Sequence, residues 1–262
     1  MSAPGRADPE PWRLDPESWR LEVHACLPST ADLCRARAEA GEADGLAILA
    51  LRQSTGKGTH GRSWADCPGN LALSVLWRPG GPAVQAGCWG LLAGVAVAEA
   101  LATFLPPEAP LTLKWPNDVL LGGGKIVGIL AESVATAEGT LEWLSFGIGA
   151  NLAMAPEVPG RRTACLAAYG APPPPRQAAA VVLAALARWR DRVAREGFAP
   201  VRDAFLQRAP RPGTPLSLHR GAENIVGRFA GLDSGGALLL HTSQGLRTFV
   251  AGEVTSQTGG AA

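Results

Sequence analysis

The sequence predicts an α+β fold: a mixed, mainly antiparallel sheet with helices packed against it, followed by a small C-terminal β barrel. Two observations carry that prediction. Between Leu111 and Leu152 the runs "LTLKWPNDVLL", "KIVGILAESV" and "LEWLSFGIGANL" follow one another, the first two joined by the glycines of Gly122, Gly123 and Gly124. Consecutive strands joined by such a hairpin form a meander, and their order predicts helices packed on one face. Beyond "APRPGTP", Ala209 to Pro215, the chain changes to short alternating runs with tight polar turns, the pattern of a small barrel.

The elements follow in order. The first 20 residues are rich in proline and charge and have no apolar core, so they read as a tail and not as a signal peptide. "RLEVHACLPSTADLCRARAEAG" reads as a strand, a cap at Ser29 and Thr30, and a helix ending near Gly41. "GLAILALRQ" and "LALSVLW" are two buried strands with a glycine-rich loop between them. Ala83 to Leu105 is apolar nearly all round, as a deeply buried helix is; its glycines and Glu99 argue against a membrane span. "APPPPR", Ala171 to Arg176, is a stiff connection into a helix with a stripe of Val181, Val182, Ala185, Leu186, Trp189 and Val193. Arg188, Arg190, Asp191, Arg192 and Arg195 lie off that stripe and read as a solvated face or a partner surface. Then come "PLSLHR", "NIVGRFAGLD", "GALLLHT" and "LRTFVAGEV", about 45 residues that need the main domain to pack on. The division is a tail over 1–20, a main domain over 21–208 and a barrel over 211–256.

Composition sets limits on function. A chain of 262 residues, 47% hydrophobic and 18% charged, is long enough for one large domain or one large and one small. A formal charge of +1 gives no global attraction to nucleic acid or to an acidic membrane. Five irregularly spaced cysteines with no C-x-x-C pair suggest neither a disulfide framework nor a zinc site, and fit a reducing cytoplasm.

Two stretches carry chemistry. "QSTGKGTHGRSW", Gln53 to Trp64, satisfies G-x-G-x-x-G. A dinucleotide fingerprint opens a helix and is followed by an acidic residue about 20 positions on. Here Pro68 and Gly69 stand where the helix should begin, and no acidic residue lies between Asp66 and Glu99. No Walker A match exists either. What remains is a loop with Lys57, His60 and Arg62 among its glycines. It is either a basic hairpin connection or a cradle whose N–H groups converge on an anion. In "KWPNDVLL", Pro116 holds Trp115 extended, so Lys114 and Trp115 project at a strand end while Asn117 and Asp118 make the turn. Lys114 is then either a surface lysine or, beside a tryptophan that is costly to expose, a lysine in a pocket.

Together these stretches resemble the biotin protein ligase family. The matches run in order over most of the chain: Ser29-Thr30, the glycine loop, "KWPND", "GKIVGILAES", "GIGANL" and the terminal "GEV". The resemblance implies a class II aminoacyl-tRNA-synthetase-like catalytic domain of the biotin–lipoate ligase type, with an SH3-like C-terminal domain. It implies that biotin and ATP give biotinyl-AMP, whose acyl group passes to a lysine of a biotin carboxyl carrier domain, and that Mg2+ accompanies ATP. It assigns catalysis to Lys114 and Arg62, with Lys114 bridging the biotin carboxylate and the α-phosphate. Biotin falls to Ser29, Thr30, Gln53, Gly56, Lys57, Gly58, Lys114 and Gly128. The adenylate falls to Lys57, Gly58, Thr59, Gly61, Arg62, Trp64, Asn117 and Asn151. Asp118 is a candidate to orient the acceptor amine or hold magnesium.

The sequence departs from the family pattern where Lys57 and Thr59 replace two loop arginines and Ala31 replaces an asparagine. Lysine loses the guanidinium fork and threonine loses the charge, so the adenylate is expected to leak faster than from an all-arginine loop. The few residues before Ser29 leave no room for a helix-turn-helix, so no DNA binding is expected. "LALSVLW" or the terminal strands offer a sheet edge for a homodimer. Two rivals stay open: a lipoate or octanoate ligase, and a non-catalytic binder of biotin or of the carrier domain.

Overall fold

The computed structural model describes residues 19–256, so the tail expected over 1–20 lies outside the described residues as far as residue 18. A seven-stranded sheet is built from β1 (Arg20–His24), β2 (Leu46–Ala50), β3 (Leu71–Trp77), β4 (Leu111–Lys114), β5 (Asp118–Leu121), β6 (Gly124–Ala135) and β7 (Leu141–Ala150). Its spatial order is β1-β2-β3-β7-β6-β5-β4. Only β1 and β2 run parallel. The β4 to β7 run is the expected meander.

The expectation that helices cover one face is corrected. Every residue of β2 and β3 is buried, so both faces of the sheet need covering there. Ala47, Leu49, Leu73, Val75 and Trp77 share the main core with α2 (Ala86–Ala102) and α3 (Pro175–Glu196). The alternate residues Leu46, Ile48 and Leu76 pack with Cys34 and Ala38 of α1 (Thr30–Glu39) on the other face. Ser29 caps α1 as its sequence predicts, its Oγ accepting from the Asp32 N–H at 3.3 Å. "LALSVLW" is no edge either, because β3 lies between β2 and β7.

Ala83–Ala102 is long and apolar enough to cross a membrane, yet it is mostly buried inside the fold, as a core helix is. Trp77 anchors the core beneath it, stacking on Trp19 with centroids 5.9 Å apart and meeting Trp89 and Phe146 edge-on at 5.6 and 5.5 Å. Each such pair contributes about 0.5–1.5 kcal/mol beyond area burial. Among the arginines of α3, Arg190 pairs with Asp44 at 2.7 Å and Arg192 with Glu196 at 3.2 Å. A further helix, α4 (Ala199–Arg208), has no counterpart in the sequence reading. Gly197 (φ 73°) ends α3, and Pro200 in the first turn of α4 starts it again.

The C-terminal unit is a five-stranded antiparallel sheet of β8 (Pro215–Arg220), β9 (Glu223–Leu232), β10 (Leu238–Thr242), β11 (Gly245–Phe249) and β12 (Glu253–Ser256). The one strand expected over "LRTFVAGEV" is two. The chain turns at Gly252 (φ 147°), and β12 crosses to pair with β8, giving the order β11-β10-β9-β8-β12. Its apolar face joins the main core. The turn between β9 and β10 docks it, with Gly236 O accepting from Trp115 Nε1 at 3.1 Å and Gly235 O from Cys88 Sγ at 3.0 Å.

Candidate active site

A small polar pocket opens where α1 begins against the sheet. Thr30 donates its backbone N–H to Gln53 Oε1 at 2.8 Å and its hydroxyl to the same oxygen at 3.2 Å; Ser74 Oγ donates to Thr30 Oγ1 at 2.9 Å. All three side chains, and Ser29 beside them, are buried. A chain of hydroxyls ending on an amide, out of water, is a set of fixed donors and acceptors for a polar ligand group. The sequence reading named Ser29, Thr30 and Gln53 and missed Ser74, which looked like one more residue of a buried strand.

The pocket floor is glycine by necessity. Gly128 of β6 and Gly149 of β7 are direct partners in the ladder. A Cβ at Gly128 would stand 2.8 Å from Trp64 Cζ3 and 3.1 Å from Lys125 Cε, and one at Gly149 would enter the Trp64 ring. Trp64 and Lys125 thus lie across the two glycines and leave a space of about 40 Å³. Typical ligand pockets run to roughly 300–1,000 Å³, so a ligand must push this wall back. Beyond the wall is a larger cleft of about 500 Å³, lined by Gly58, Thr59, Arg62, Asn151, Arg161 and Thr163; Trp64 and Lys125 line both spaces.

The glycine loop is a folded hairpin and not a converging set of free donors. Gly58 N–H donates to Arg62 O at 2.8 Å and Trp64 N–H to Gly56 O at 2.9 Å, around one turn of 3-10 helix at Thr59–Gly61 with Gly61 at φ 70°. Gly56 is held small, because its Cβ would come within 2.7 Å of Trp64 O. Lys57 turns to Asp32 on α1 at 2.6 Å. Arg62 reaches the Thr59 carbonyl and hydroxyl at 3.2 and 3.1 Å and then Glu253 of β12 at 2.9 Å.

Asp118 is not a turn residue. It opens β5 opposite Lys114, and the turn is Trp115-Pro116-Asn117, with a cis Trp115–Pro116 bond and a buried Trp115. Its carboxylate takes Lys114 Nζ at 2.8 Å and Lys125 Nζ at 2.7 Å. Burial alone would raise its pKa, but the two ammonium groups outweigh burial and hold it below the ordinary value. Lys114 stays on the far side of Asp118, in a crevice with Asn117 and Glu253, and does not join Ser29, Thr30 and Gln53. The lysines that line that pocket are Lys57, which pairs with Asp32, and Lys125, which pairs with Asp118. Asn117 and Asn151 act as braces: Asn117 Nδ2 donates to Ile129 O at 2.9 Å, and Asn151 Nδ2 to the carbonyls of Lys125 and Ala164 at 3.3 and 3.1 Å.

Comparison with known proteins meets this geometry at the same segments. The description "Biotin/lipoate A/B protein ligase family" matches residues 23–151, and "Biotin protein ligase C terminal domain" matches 217–255. A biotin–acetyl-CoA-carboxylase ligase of Paracoccus denitrificans is 38% identical over 213 residues, 79% of this chain and 88% of that protein. The chain belongs to the biotin/lipoate protein ligase family. A ligase of the same description from Mycobacterium tuberculosis is 40% identical over 132 residues, 49% of this chain and 47% of that one. The solved biotin protein ligase of Aquifex aeolicus, in complex with biotin and ATP, superposes with a TM-score of 0.73 at 26% identity, covering 90% of this chain and 97% of that one.

In this member of the family the residues do not suit a protein-held magnesium at Asp118. Both carboxylate oxygens are engaged by lysines, and among the described residues no group of three His, Cys, Asp or Glu could hold a metal ion. Magnesium is usually held by one or two carboxylates together with substrate phosphates and waters, and a carboxylate whose oxygens are both paired with ammonium groups is poorly placed to serve.

Proposed function

We propose that this ligase activates biotin with ATP, releasing pyrophosphate, and passes the biotinyl group from biotinyl-AMP to a lysine of a biotin carboxyl carrier domain of acetyl-CoA carboxylase. The observation that carries the proposal is the wall shared by the two clefts. A carboxylate reaching out of the small polar pocket and an α-phosphate lying in the larger cleft meet at one place, beside Lys125 and Trp64. Joining two anions needs fixed positive charge where they meet. In the first step a carboxylate oxygen attacks the α-phosphorus and pyrophosphate leaves with the electron pair of the broken P–O bond. In the second the acceptor amine attacks the acyl carbon, AMP leaves, and the amine gives up a proton.

We assign the bridging role to Lys125, with Asp118 holding it and Lys114 keeping Asp118 ionised. Ser29, Thr30, Gln53 and Gly128 surround the biotin head. Trp64, Gly58, Thr59 and Arg62 surround the adenylate, with Asn151 bracing its floor. Magnesium enters with the nucleotide phosphates and not on a carboxylate cage of this chain. Five free cysteines, Cys26 among them exposed, suit a reducing cytoplasm.

A lipoate ligase shares the family description, but a pocket lined by the buried polar side chains of Ser29, Thr30 and Gln53 suits a ring that carries hydrogen-bonding groups better than an apolar dithiolane. The test is mass spectrometry of a purified carrier domain after incubation with this protein, ATP and magnesium, with biotin or lipoate. The expected result is a mass gain with biotin only, lost in Lys125→Ala and reduced in Lys114→Ala. A gain with lipoate, or one that survives Lys125→Ala, contradicts the assignment.

A further inference from the structure

We propose that Arg161 is a phosphate-binding residue of the nucleotide cleft, acting as a pair with Arg62, and that Glu253 occupies their anion position until nucleotide displaces it. The inference rests on reading the larger cleft as the nucleotide site. Glu253, the first residue of β12, gives one carboxylate oxygen to each arginine: Oε2 lies 2.9 Å from Arg62 Nη1 and Oε1 lies 3.1 Å from Arg161 Nη2. Two guanidinium groups this close repel one another unless an anion stands between them. A carboxylate bridging two forks presents them with the same pair of oxygens that a phosphate would. The three residues therefore form an anion site filled by an internal anion.

The surroundings point to what replaces it. Arg62 and Arg161 both line the larger cleft, whereas Glu253 lies behind them in the crevice it shares with Arg62 and Lys114. Both arginines keep more than a third of their side chains exposed, so each head group can turn from Glu253 into the cleft. Arg161 is also fixed relative to the reacting centre. It closes a turn on Val158 through Arg161 N–H to Val158 O at 3.0 Å, and the next residue accepts from Lys125 N–H at 2.8 Å. The polyphosphate of ATP, running away from Lys125 along this cleft, meets Arg62 and Arg161 as its next cations. Release of Glu253 also breaks the side-chain tie from β12 to these arginines while the strand stays paired with β8, so nucleotide binding is coupled to the C-terminal sheet through that tie.

The experiment titrates full-length protein with ATP and, separately, with adenosine by calorimetry, comparing wild type, Arg161→Gln, Arg161→Lys and Glu253→Gln. Biotin-dependent ATP–pyrophosphate exchange by the wild type is measured first; its absence removes the nucleotide reading itself. With exchange present, Arg161→Gln is expected to weaken ATP about tenfold, as loss of a charged hydrogen bond does, while adenosine binds unchanged. Arg161→Lys recovers part of the loss, and Glu253→Gln tightens ATP severalfold because the internal competitor is neutral. Unchanged ATP binding in Arg161→Gln overturns the proposal. So does an equal loss of adenosine affinity in that variant, or a weakening of ATP in Glu253→Gln, since either makes the trio a structural tie.

Discussion

Asp118 is the side chain on which Lys125, the lysine proposed to bridge the two anions, depends. With Lys114 and Lys125 both within 2.8 Å of its oxygens, it holds together two ammonium groups that otherwise repel. Asp118→Asn keeps the shape and removes the charge. A buried pair broken on one side costs on the order of 3 kcal/mol, and Lys125 loses the contact that aims it at the wall between the clefts. The expected outcome is a lower melting temperature together with a fall in kcat of at least about 100-fold, as misplacement near a reacting centre produces. Full activity in that variant would remove Asp118 from the mechanism. Its folded-state pKa lies below the ordinary carboxylate value, so its contribution to stability is complete above that ordinary value and is lost as pH falls through the depressed one. At this scale the sequence was half legible. "KWPND" announces a constrained turn, and Lys114 stands at its strand end. Lys125, which we propose for the bridging role first expected of Lys114, comes beside Asp118 only once β5 and β6 pair, a neighbourhood that the linear sequence does not show.

Among the elements, the glycine hairpin governs access. Gly56, Gly58 and Gly61 were readable as loop glycines, but not what they do. Gly56 admits the Trp64 carbonyl and Gly61 supplies a positive φ, while the N–H of Gly58 closes the hairpin. Charge on this loop is spent locally, Lys57 on Asp32 and Arg62 on Glu253. Thr59 lines both clefts and brings no charge. Thr59→Arg adds a guanidinium fork beside the adenylate, and a charge-assisted contact of that kind slows release by about tenfold. Biotinyl-AMP release, followed by quenched flow or by trapping with hydroxylamine, is expected to be slower from this variant than from the wild type; equal release rates would show that the wild-type loop already retains its intermediate without the second arginine. The sequence left open whether β3 or the terminal strands supply an edge, and α4 has no counterpart in the sequence reading. Continuous burial looks alike in an edge strand that is covered and in a central one. α4 is barely amphipathic in pattern, with only Val201 and Phe205 buried, so the Gly197 and Pro200 punctuation was its one clear signal.

For the whole molecule, the question is why a small C-terminal sheet belongs to the catalytic fold at all. The structure answers through one turn. Gly236 stands at φ 80°, its carbonyl receives the buried Trp115 indole N–H, and a Cβ there would come 2.5 Å from Leu91 Cδ1 on α2. Trp115 sits next to Lys114 in the hairpin that carries Asp118, and β12 on the same sheet carries Glu253 to Arg62. Seating of the sheet therefore bears on Lys114 through Trp115 and on Arg62 through Glu253, two cations of the proposed nucleotide side. Gly236→Val should force Leu91 aside and strain a left-handed backbone at once, a loss of about 3 kcal/mol. For a chain of this size that is a fall of roughly 6–12 °C in Tm. Because the displaced contact leads through Trp115 to Lys114 and not to the Ser74–Thr30–Gln53 chain, KM for ATP is expected to rise more than KM for biotin. The neighbouring Gly235 provides the control. It has no positive φ, and a Cβ there would meet only Asp233 Oδ1 at 3.5 Å, an ordinary contact, so Gly235→Ala should melt and turn over like the wild type. If the two variants behaved alike, or if Gly236→Val raised both KM values equally, the turn would be a packing contact with no special hold on the nucleotide side. A selective rise for ATP would show that the C-terminal sheet contributes to catalysis by fixing where the cations stand.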